Sequence, residues 1–273
     1  MKKLFLLFTV ILAFEYANFI SASIPAVQEK KRIDFSNGGS TADAVFEIRV
    51  MTYNIHRGIN KGSKLDLNGI VEAIRSSGAE IVALQEVERF SVRTGFQDQI
   101  KYIADKLSMG YAYGKSINIL NGQYGNAILS KFPIEEYEVN KLPSNGERRT
   151  LLRAGLNVYG NRIYFYSTHL GLDQEERDIQ VEEIVRLAAD NSNSIVSGDF
   201  NSGVDKLGAI TGRYIDCASF ENNDSRATFE EGELSERIDY IFASKNFKVK
   251  AYDVLELDAS DHYPVICTLE YKK

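Results

Sequence analysis

The chain has 273 residues, is 44% hydrophobic and 26% charged, and carries 4 prolines. This composition excludes a disordered, collagenous or disulfide-scaffold protein and leaves room for one large α/β domain with a well-buried core. A formal charge of −6 excludes a surface that gathers polyanions by bulk attraction.

Residues 1–23 read as a secretory signal. Lys2 and Lys3 precede an apolar run from Leu4 to Phe14, which Glu15 closes, and small residues follow through Ser21, Ala22 and Ser23. The run is too short to span a bilayer. Export to the periplasm or the medium is therefore expected, with no stable membrane insertion, and no cysteine follows the run to carry a lipid anchor. Cleavage after Ser23 would make the mature chain one charge more acidic. Residues 24–43 read as a loose polar linker and residues 44–273 as a single domain, expected to act as a monomer.

In chain order, "FEIRVMTYNI" predicts a strand. Leu65 to Ser76 predicts a helix with Ile70, Val71 and Ile74 on one face, closed by Gly78, and "EIVALQEV" predicts a second strand. "YGNAILSKFPIEEYEV" and "TLLRAGLNVYG" read as further strands. The first pattern then returns: "NRIYFYSTHL" is a strand, Asp173 to Ala189 a helix with Val181, Ile184, Val185 and Ala188 inward, and "NSIVSGDFN" a strand. Glu175 and Glu176 suit that helix's first turn. "RIDYIFAS", "FKVKAYDVLEL" and "HYPVICTLEY" close the chain. Strands outnumber helices, which predicts two packed sheets with helices outside.

The chain has 3 histidines, and each lies where an apolar β run meets a loop: His56 in "MTYNIHRG", His169 in "YSTHLG" and His262 in "SDHYPV". Reading outward from the strand ends adds Asn54, Glu86, Asp199 with Asn201, Asp239 and Asp261. In open α/β sheets ligands gather at the carboxyl ends of strands. Taken singly, each motif also has a purely structural use. Asn54 can cap a turn, Glu86 pair with Arg89, "GDFN" form an Asx-turn, Asp239 bond backbone, and Asp261 turn the chain ahead of a strand. The ordered set has no such explanation. Hard oxygens from Asn54, Glu86 and Asp261 suit Mg²⁺, which takes one or two carboxylates, keeps waters and leaves room for a phosphate. No thiolate cluster invites a soft metal.

The series "TYNIHRG", "LQEV", "STHL", "SGDFN", "RIDYIF" and "SDHYPV", in this order, resembles the endonuclease/exonuclease/phosphatase superfamily of DNase I-like metal-dependent phosphoesterases. The likeness runs from about Ile48 to Leu269. It implies a four-layer α/β sandwich of two packed, mainly antiparallel sheets flanked by helices, and hydrolysis of a phosphate ester with Mg²⁺ or Mn²⁺. By the same resemblance Glu86 is the chief metal ligand, with Asn54 and Asp261 beside it. Asp199 orients or deprotonates the attacking water, and Asn201 holds that water or a phosphate oxygen. Asp239 fixes the ring of His262, which stabilises developing charge, and His169 is a second donor to phosphate. A binding module of this fold without turnover is the non-enzymatic alternative, but it would be expected to have lost ligands, and none of the six motifs is degraded.

Substrate is read from what surrounds these motifs. Arg57, Lys61 and Lys64, and Arg148, Arg149 and Arg153, are the local cations, and no aromatic residues interleave with them as a single-strand platform requires. A small or lipid head-group phosphodiester is thus expected, with a secreted nuclease acting on DNA or RNA as the alternative. "SERIDYIF" and the lack of Trp depart from the inositol-phosphatase pattern. No exposed apolar run resembles the membrane hairpin of secreted sphingomyelinases. "SVRTGFQDQIKYIADKL" resembles a segment of small bacterial hydrolases and glycolipid-anchor-related proteins. It offers Arg93 and Asp98, with Arg148 from the later loop, as substrate contacts, although Arg93 and Asp98 serve equally well to order the loop and cap its helix. Cys217 and Cys267 permit one disulfide, but Cys267 alternates with Val265 and Leu269 as an inward strand residue would, which favours free thiols.

Overall fold

The computed structural model describes residues 45–119 and 121–272, with residues 221–224 described by backbone alone. The expected signal at 1–23 and linker at 24–43 lie outside the described residues. Strand β1 (Val45–Asn54) leads through helix α1 (Leu67–Ser77) to β2 (Ile81–Arg89). Helix α2 (Gln99–Leu107) and strands β3 (Gly110–Ile119), β4 (Gly122–Ser130), β5 (Ile134–Lys141) and β6 (Thr150–Val158) follow. Strand β7 (Asn161–His169), helix α3 (Gln174–Ala188) and β8 (Ser194–Asp199) repeat the opening unit. The chain ends in β9 (Ile215–Asp216), β10 (Phe229–Glu231), β11 (Leu234–Glu236), β12 (Asp239–Ala243), β13 (Phe247–Val254) and β14 (Val265–Lys272).

Two six-stranded sheets result, ordered β13-β14-β1-β2-β4-β3 and β5-β6-β7-β8-β12-β9. Each is antiparallel except at its centre, where β1 runs parallel to β2 and β7 parallel to β8. Those parallel pairs are the two βαβ units whose return the sequence showed, since a parallel neighbour needs a helical crossover. Alternation along the strands builds the layers. Val50, Ile81, Ala83, Ile195 and Ile241 face the core between the sheets. Their neighbours Met51, Val82 and Leu84 meet Ile70, Ile74, Ile100 and Ile103 of α1 and α2. Val196 and Phe242 meet Val181, Ile184 and Ala188 of α3. Strands covered on both faces read as continuous apolar runs, and the outcome is the four-layer sandwich of the DNase I-like fold.

Gly78 closes its helix as the sequence reading expected, and two aspartate N-caps join it. Asp66 caps α1 by accepting from Gly69 N, and Gly78 ends it at φ 71°, a left-handed turn that glycine adopts without strain. Asp173 caps α3 by accepting from Glu176 N. Strand β3 was not among the expected elements: "YAYGKSINI" lies at the edge of its sheet and exposes residues along both faces, so it lacks a clear alternation. Cys217 and Cys267 are buried free thiols in the core between the sheets. Among the described residues no helix is long and apolar enough to cross a membrane.

Candidate active site

The sheet that carries β1 and the sheet that carries β8 bring their polar strand ends together at one edge. Asn54 and His169 end β1 and β7, and Asp199 ends β8. Asp239 instead opens β12, and Asp261 and His262 precede β14. These last two strands run antiparallel to β8 and β1, so their amino ends reach the edge where the others finish. Glu86 is different again, because it lies inside β2. The β2–β4 register shifts between Leu84 and Val87, and Glu86 has φ 59°. A bulge of this kind re-aims a side chain beside a site. His56 and Asn201 also adopt positive φ, at 43° and 48°, so three non-glycine residues hold left-handed backbone around one centre, a clustering seen where function sets the geometry.

Asn54 is buried, and its amide joins the two sheets. Its Nδ2 donates to Glu86 Oε1 at 3.2 Å and to Asp199 Oδ2 at 3.0 Å, and lies 3.4 Å from His262 Nε2. Its Oδ1 accepts from His56 N at 3.0 Å, so the amide turns its N–H side, rather than its oxygen, toward the carboxylates. Below it, Thr52 Oγ1 donates to Gln85 Oε1 at 3.2 Å, and Gln85 Nε2 donates to Ser167 Oγ at 3.2 Å, a buried bridge between the sheets that supports the site from beneath.

Asp199 and Asp239 pair directly across β8 and β12. Gly198 makes Asp199's position possible: a Cβ there would meet Thr168 O at 2.1 Å, so only glycine lets β7 and β8 approach beside the His169–Asp199 pair. Asp199 Oδ1 accepts from Asn201 N at 2.9 Å, and Asn201 Nδ2 donates to Leu170 O at 2.9 Å. Asp239 Oδ2 lies 2.8 Å from His262 Nδ1 and accepts from Thr228 Oγ1 at 2.7 Å. Phe229 packs on the imidazole of His262, with ring centroids 4.7 Å apart.

The electrostatics divide the two buried histidines. Burial alone would lower the pKa of His262, but the carboxylates of Asp239, Asp199 and Asp261 overcome it and raise it to about 10. Burial dominates at His169 and drives it down to about 3, against the attraction of Asp199 and with the help of Arg149 and His262. Burial likewise raises the Asp199 carboxyl, opposed by His169. His262 is therefore the cationic ring and His169 the neutral one, with Nε2 3.5 Å from Asp199 Oδ2 and Nδ1 without a partner.

Hard oxygens dominate the donors. Asp261 Oδ2 lies 3.1 Å from His56 Nδ1, and Asp261 Oδ1 accepts from Ser260 Oγ at 3.1 Å. Among the described residues Glu86 has no Lys or Arg partner, and the buried Asp239 Oδ1 has no hydrogen-bond partner. Asp199, Asp239 and His262 offer ligand atoms within 4.8 Å of one another. In that trio Asp239 is already held by His262 Nδ1 at 2.8 Å, and Glu86 and Asp261 add carboxylates around the same strand ends, whereas Asn54 presents its N–H side to Glu86 and Asp199. This donor set fits a hard divalent ion.

The residues expected to contact substrate fare differently. Asp98 accepts from Arg89 Nε at 2.8 Å and Nη2 at 2.6 Å, and caps α2 at Lys101 N at 3.3 Å. Arg93 pairs with the fully buried Glu88. Both order the loop after β2, and neither contacts the residues of the site. Arg148 is exposed on the loop before β6, whereas its neighbour Arg149 is 7% exposed and lies 3.0 Å from Glu147. Tyr124 was missed as a site neighbour, and Arg149 was named only as one of the local cations. The phenol of Tyr124 is held protonated by burial and then by the charges of Glu86 and Glu147. Alternation presents Tyr124 as an ordinary core residue, and a loop arginine carries no sign of burial.

The sequence model of the Endonuclease/Exonuclease/phosphatase family matches residues 51–262. The chain is 31% identical over 174 residues to YbhP of Escherichia coli (strain K12), covering 57% of this chain and 67% of that protein. It is 30% identical over 147 residues to the protein cwh43 of Schizosaccharomyces pombe, covering 53% of this chain but 15% of that much longer protein. Among solved structures, the endonuclease/exonuclease/phosphatase from Beutenbergia cavernae superposes with a TM-score of 0.69 at 23% identity, over 82% of this chain and 72% of that one. TDP2 from Caenorhabditis elegans superposes with a TM-score of 0.64 at 23% identity, over 82% and 74%. The six ordered motifs, the doubled βαβ sandwich and the match across the domain agree: the chain belongs to the endonuclease/exonuclease/phosphatase family.

Proposed function

We propose that this protein is a divalent-metal-dependent phosphodiester hydrolase, using Mg²⁺ or Mn²⁺, and that it acts on a small or lipid head-group substrate. Family membership supports a hydrolase of the phosphoesterase or nuclease type. The observation that carries the reading is the reach of one buried amide, Asn54 Nδ2, to Glu86, Asp199 and His262 at once. Glu86 and Asp261 would hold the cation, with Asn54 beside them positioning Glu86 and Asp199 through its amide N–H. When bound, the cation neutralises charge on the phosphoryl oxygens. Asp199, fixed by Asn54 and Asn201, orients a water and takes its proton. Asp239 holds His262 through Nδ1, which leaves Nε2 turned to the site as a donor toward developing negative charge, and His169 flanks the same position. These are positioning and charge-stabilising roles, as phosphoryl transfer demands.

The surrounding cations support a compact substrate. Lys61 pairs with Glu230, Arg149 with Glu147, and Arg153 with Glu136 and Glu138. A duplex needs a row of available cations, whereas one phosphate needs a metal and two or three donors. The test is a turnover screen at moderate salt against plasmid DNA, RNA, phospholipids, sphingomyelin and phosphoinositides, with Mg²⁺ and again with EDTA. Head-group turnover that EDTA abolishes is expected. Full activity in EDTA would overturn the metal requirement, and salt-sensitive DNA cleavage with no head-group turnover would overturn the substrate class.

A further inference from the structure

Two of the three histidines set at strand ends, His169 and His262, flank Asp199. His56 stands elsewhere, just beyond the end of β1, where it opens a left-handed turn: His56, Arg57 and Gly58 have φ of 43°, 59° and 75°. Consecutive left-handed residues that carry a Cβ are unfavourable, so this turn is held by its surroundings. Gly58 N donates to Ile55 O at 2.7 Å and Ile59 N to His56 O at 2.9 Å. Buried Gln99, the first residue of α2, donates through Nε2 to Arg57 O at 2.6 Å and accepts at Oε1 from Glu88 N at 2.8 Å. Backbone kept in such a state against preference is found where side chains are aimed for function.

The turn gives His56 two tasks. Its backbone N–H donates to Asn54 Oδ1 at 3.0 Å, which fixes the amide with its N–H side toward Glu86 and Asp199. Its ring lies between two charged side chains: Nδ1 is 3.1 Å from Asp261 Oδ2, and Nε2 is 2.5 Å from Arg57 Nη2. A guanidinium can only donate, so Nε2 accepts and the ring proton sits on Nδ1, where it donates to Asp261. Arg57 thus sets the tautomer, and His56 passes the constraint to the carboxylate. The second oxygen of Asp261, Oδ1, accepts from Ser260 Oγ at 3.1 Å, and that hydroxyl also lies 2.8 Å from Asn54 O.

Asp261 is gripped at both oxygens and still open to solvent, since the side chains of His56 and Asp261 are 29% and 28% exposed. An ion can therefore reach a carboxylate that is already oriented. A contact that only closed the loop would need neither a ring fixed at both of its nitrogens nor a backbone held left-handed to place it. We infer that His56 is a positioning residue for the cation site: locked by Arg57, its ring holds the Asp261 carboxylate ready for a hard divalent ion, while its N–H holds Asn54. Hydrogen-bonding partners of this kind, which orient a ligating group without touching the metal, change metal affinity by about 10–100-fold when they are removed. This inference rests on the metal-dependent reading and extends it to a residue outside the ligand set.

The test titrates the full-length, substrate-free protein with Mn²⁺ and follows the bound ion by electron paramagnetic resonance. His56→Gly removes the ring, keeps the N–H that Asn54 accepts, and adopts a positive φ without strain. It should weaken Mn²⁺ binding about tenfold or more. His56→Asn tolerates the left-handed backbone and places an amide N–H near the position of Nδ1, so it should bind Mn²⁺ within about threefold of the wild type. Wild-type affinity in His56→Gly would overturn the inference, and so would equal losses in the two variants, because then the hydrogen bond to Asp261 is not what matters. If the wild-type protein itself binds no Mn²⁺, the inference falls together with the metal requirement. If Mn²⁺ binding responds as expected but no diester is hydrolysed, the role of His56 stands and the catalytic reading falls, so the two failures are distinct.

Discussion

Asp199 and Asp239 lie opposite one another in register on antiparallel β8 and β12, two buried carboxylates on neighbouring strands that do different work. Asp239 is tied to His262 Nδ1 at 2.8 Å, and Asp199 accepts from Asn54 Nδ2 at 3.0 Å and Asn201 N at 2.9 Å. Asp239→Asn should therefore lower kcat by about 10²-fold or more by loosening the ring and its charge, with KM little changed. His262→Ala should do about the same, and the double variant should be no worse than either single one. Steady-state kinetics on the best substrate from the screen decide this, and additive losses would show that the two residues act separately.

Glu86 is brought to the site by a bulge and meets no basic side chain among the described residues. Glu86→Gln keeps the acceptor for Asn54 Nδ2 but removes the charge that, in the proposed function, would hold a cation. The Mg²⁺ concentration for half-maximal activity should rise about tenfold or more. Metal binding followed by thermal shift, independent of turnover, should weaken in parallel. An unchanged metal dependence would remove Glu86 from the ligand set.

Stability should fall on the acid side because of His169. Its pKa is depressed from 6.5 to about 3 in the folded protein, mainly by burial. Between those values the unfolded chain binds the proton and the folded one does not. The contribution is thus present above about pH 6.5 and is lost as pH falls toward 3. Urea midpoints measured at pH 7 and at about pH 4.5 should differ more for the wild type than for His169→Gln, which cannot titrate. Parallel losses in the two proteins would contradict this assignment.

Asp98 tests the role of the loop after β2. Asp98→Ala removes an N-cap and a bidentate partner of Arg89, and should destabilise the protein by roughly 1–3 kcal/mol. Turnover of a small diester, measured well below the melting transition, should stay within about twofold, since nothing here touches the reacting groups. A raised KM without loss of stability would instead return Asp98 to substrate binding.

Cys217 and Cys267 should be silent to thiol reagents. Burial first, and then the neighbouring Cys267 thiol, raises Cys217 well above the usual thiol range, and both residues are 0% exposed. Ellman's reagent at pH 8 should therefore label neither cysteine in the native protein and both after denaturation. Rapid native labelling would show that the core between the sheets opens.

The order and chemistry of the motifs were legible because they are local. Strand runs ending in Asn54, His169 and Asp199 follow from apolar periodicity, and the helix stop at Gly78 follows from local backbone preference. Those features also carried the fold, since a βαβ pattern that occurs twice within a strand-rich chain has few ways to bury both faces of its sheets. Three things depended on contacts between residues distant in sequence. The bulge that turns Glu86 inward exists only through pairing of β2 with β4. Asn54 meets Asp199, 145 positions later, only because two sheets pack face to face. Arg93 and Asp98 were read both as head-group contacts and as residues that order their loop, and their ion pairs with Glu88 and Arg89 appear only once the loop folds back on β2. The split between cationic His262 and neutral His169 arises the same way, because a pKa is set by burial and by the charges nearby, and both are properties of the assembled fold rather than of the neighbouring residues in the chain.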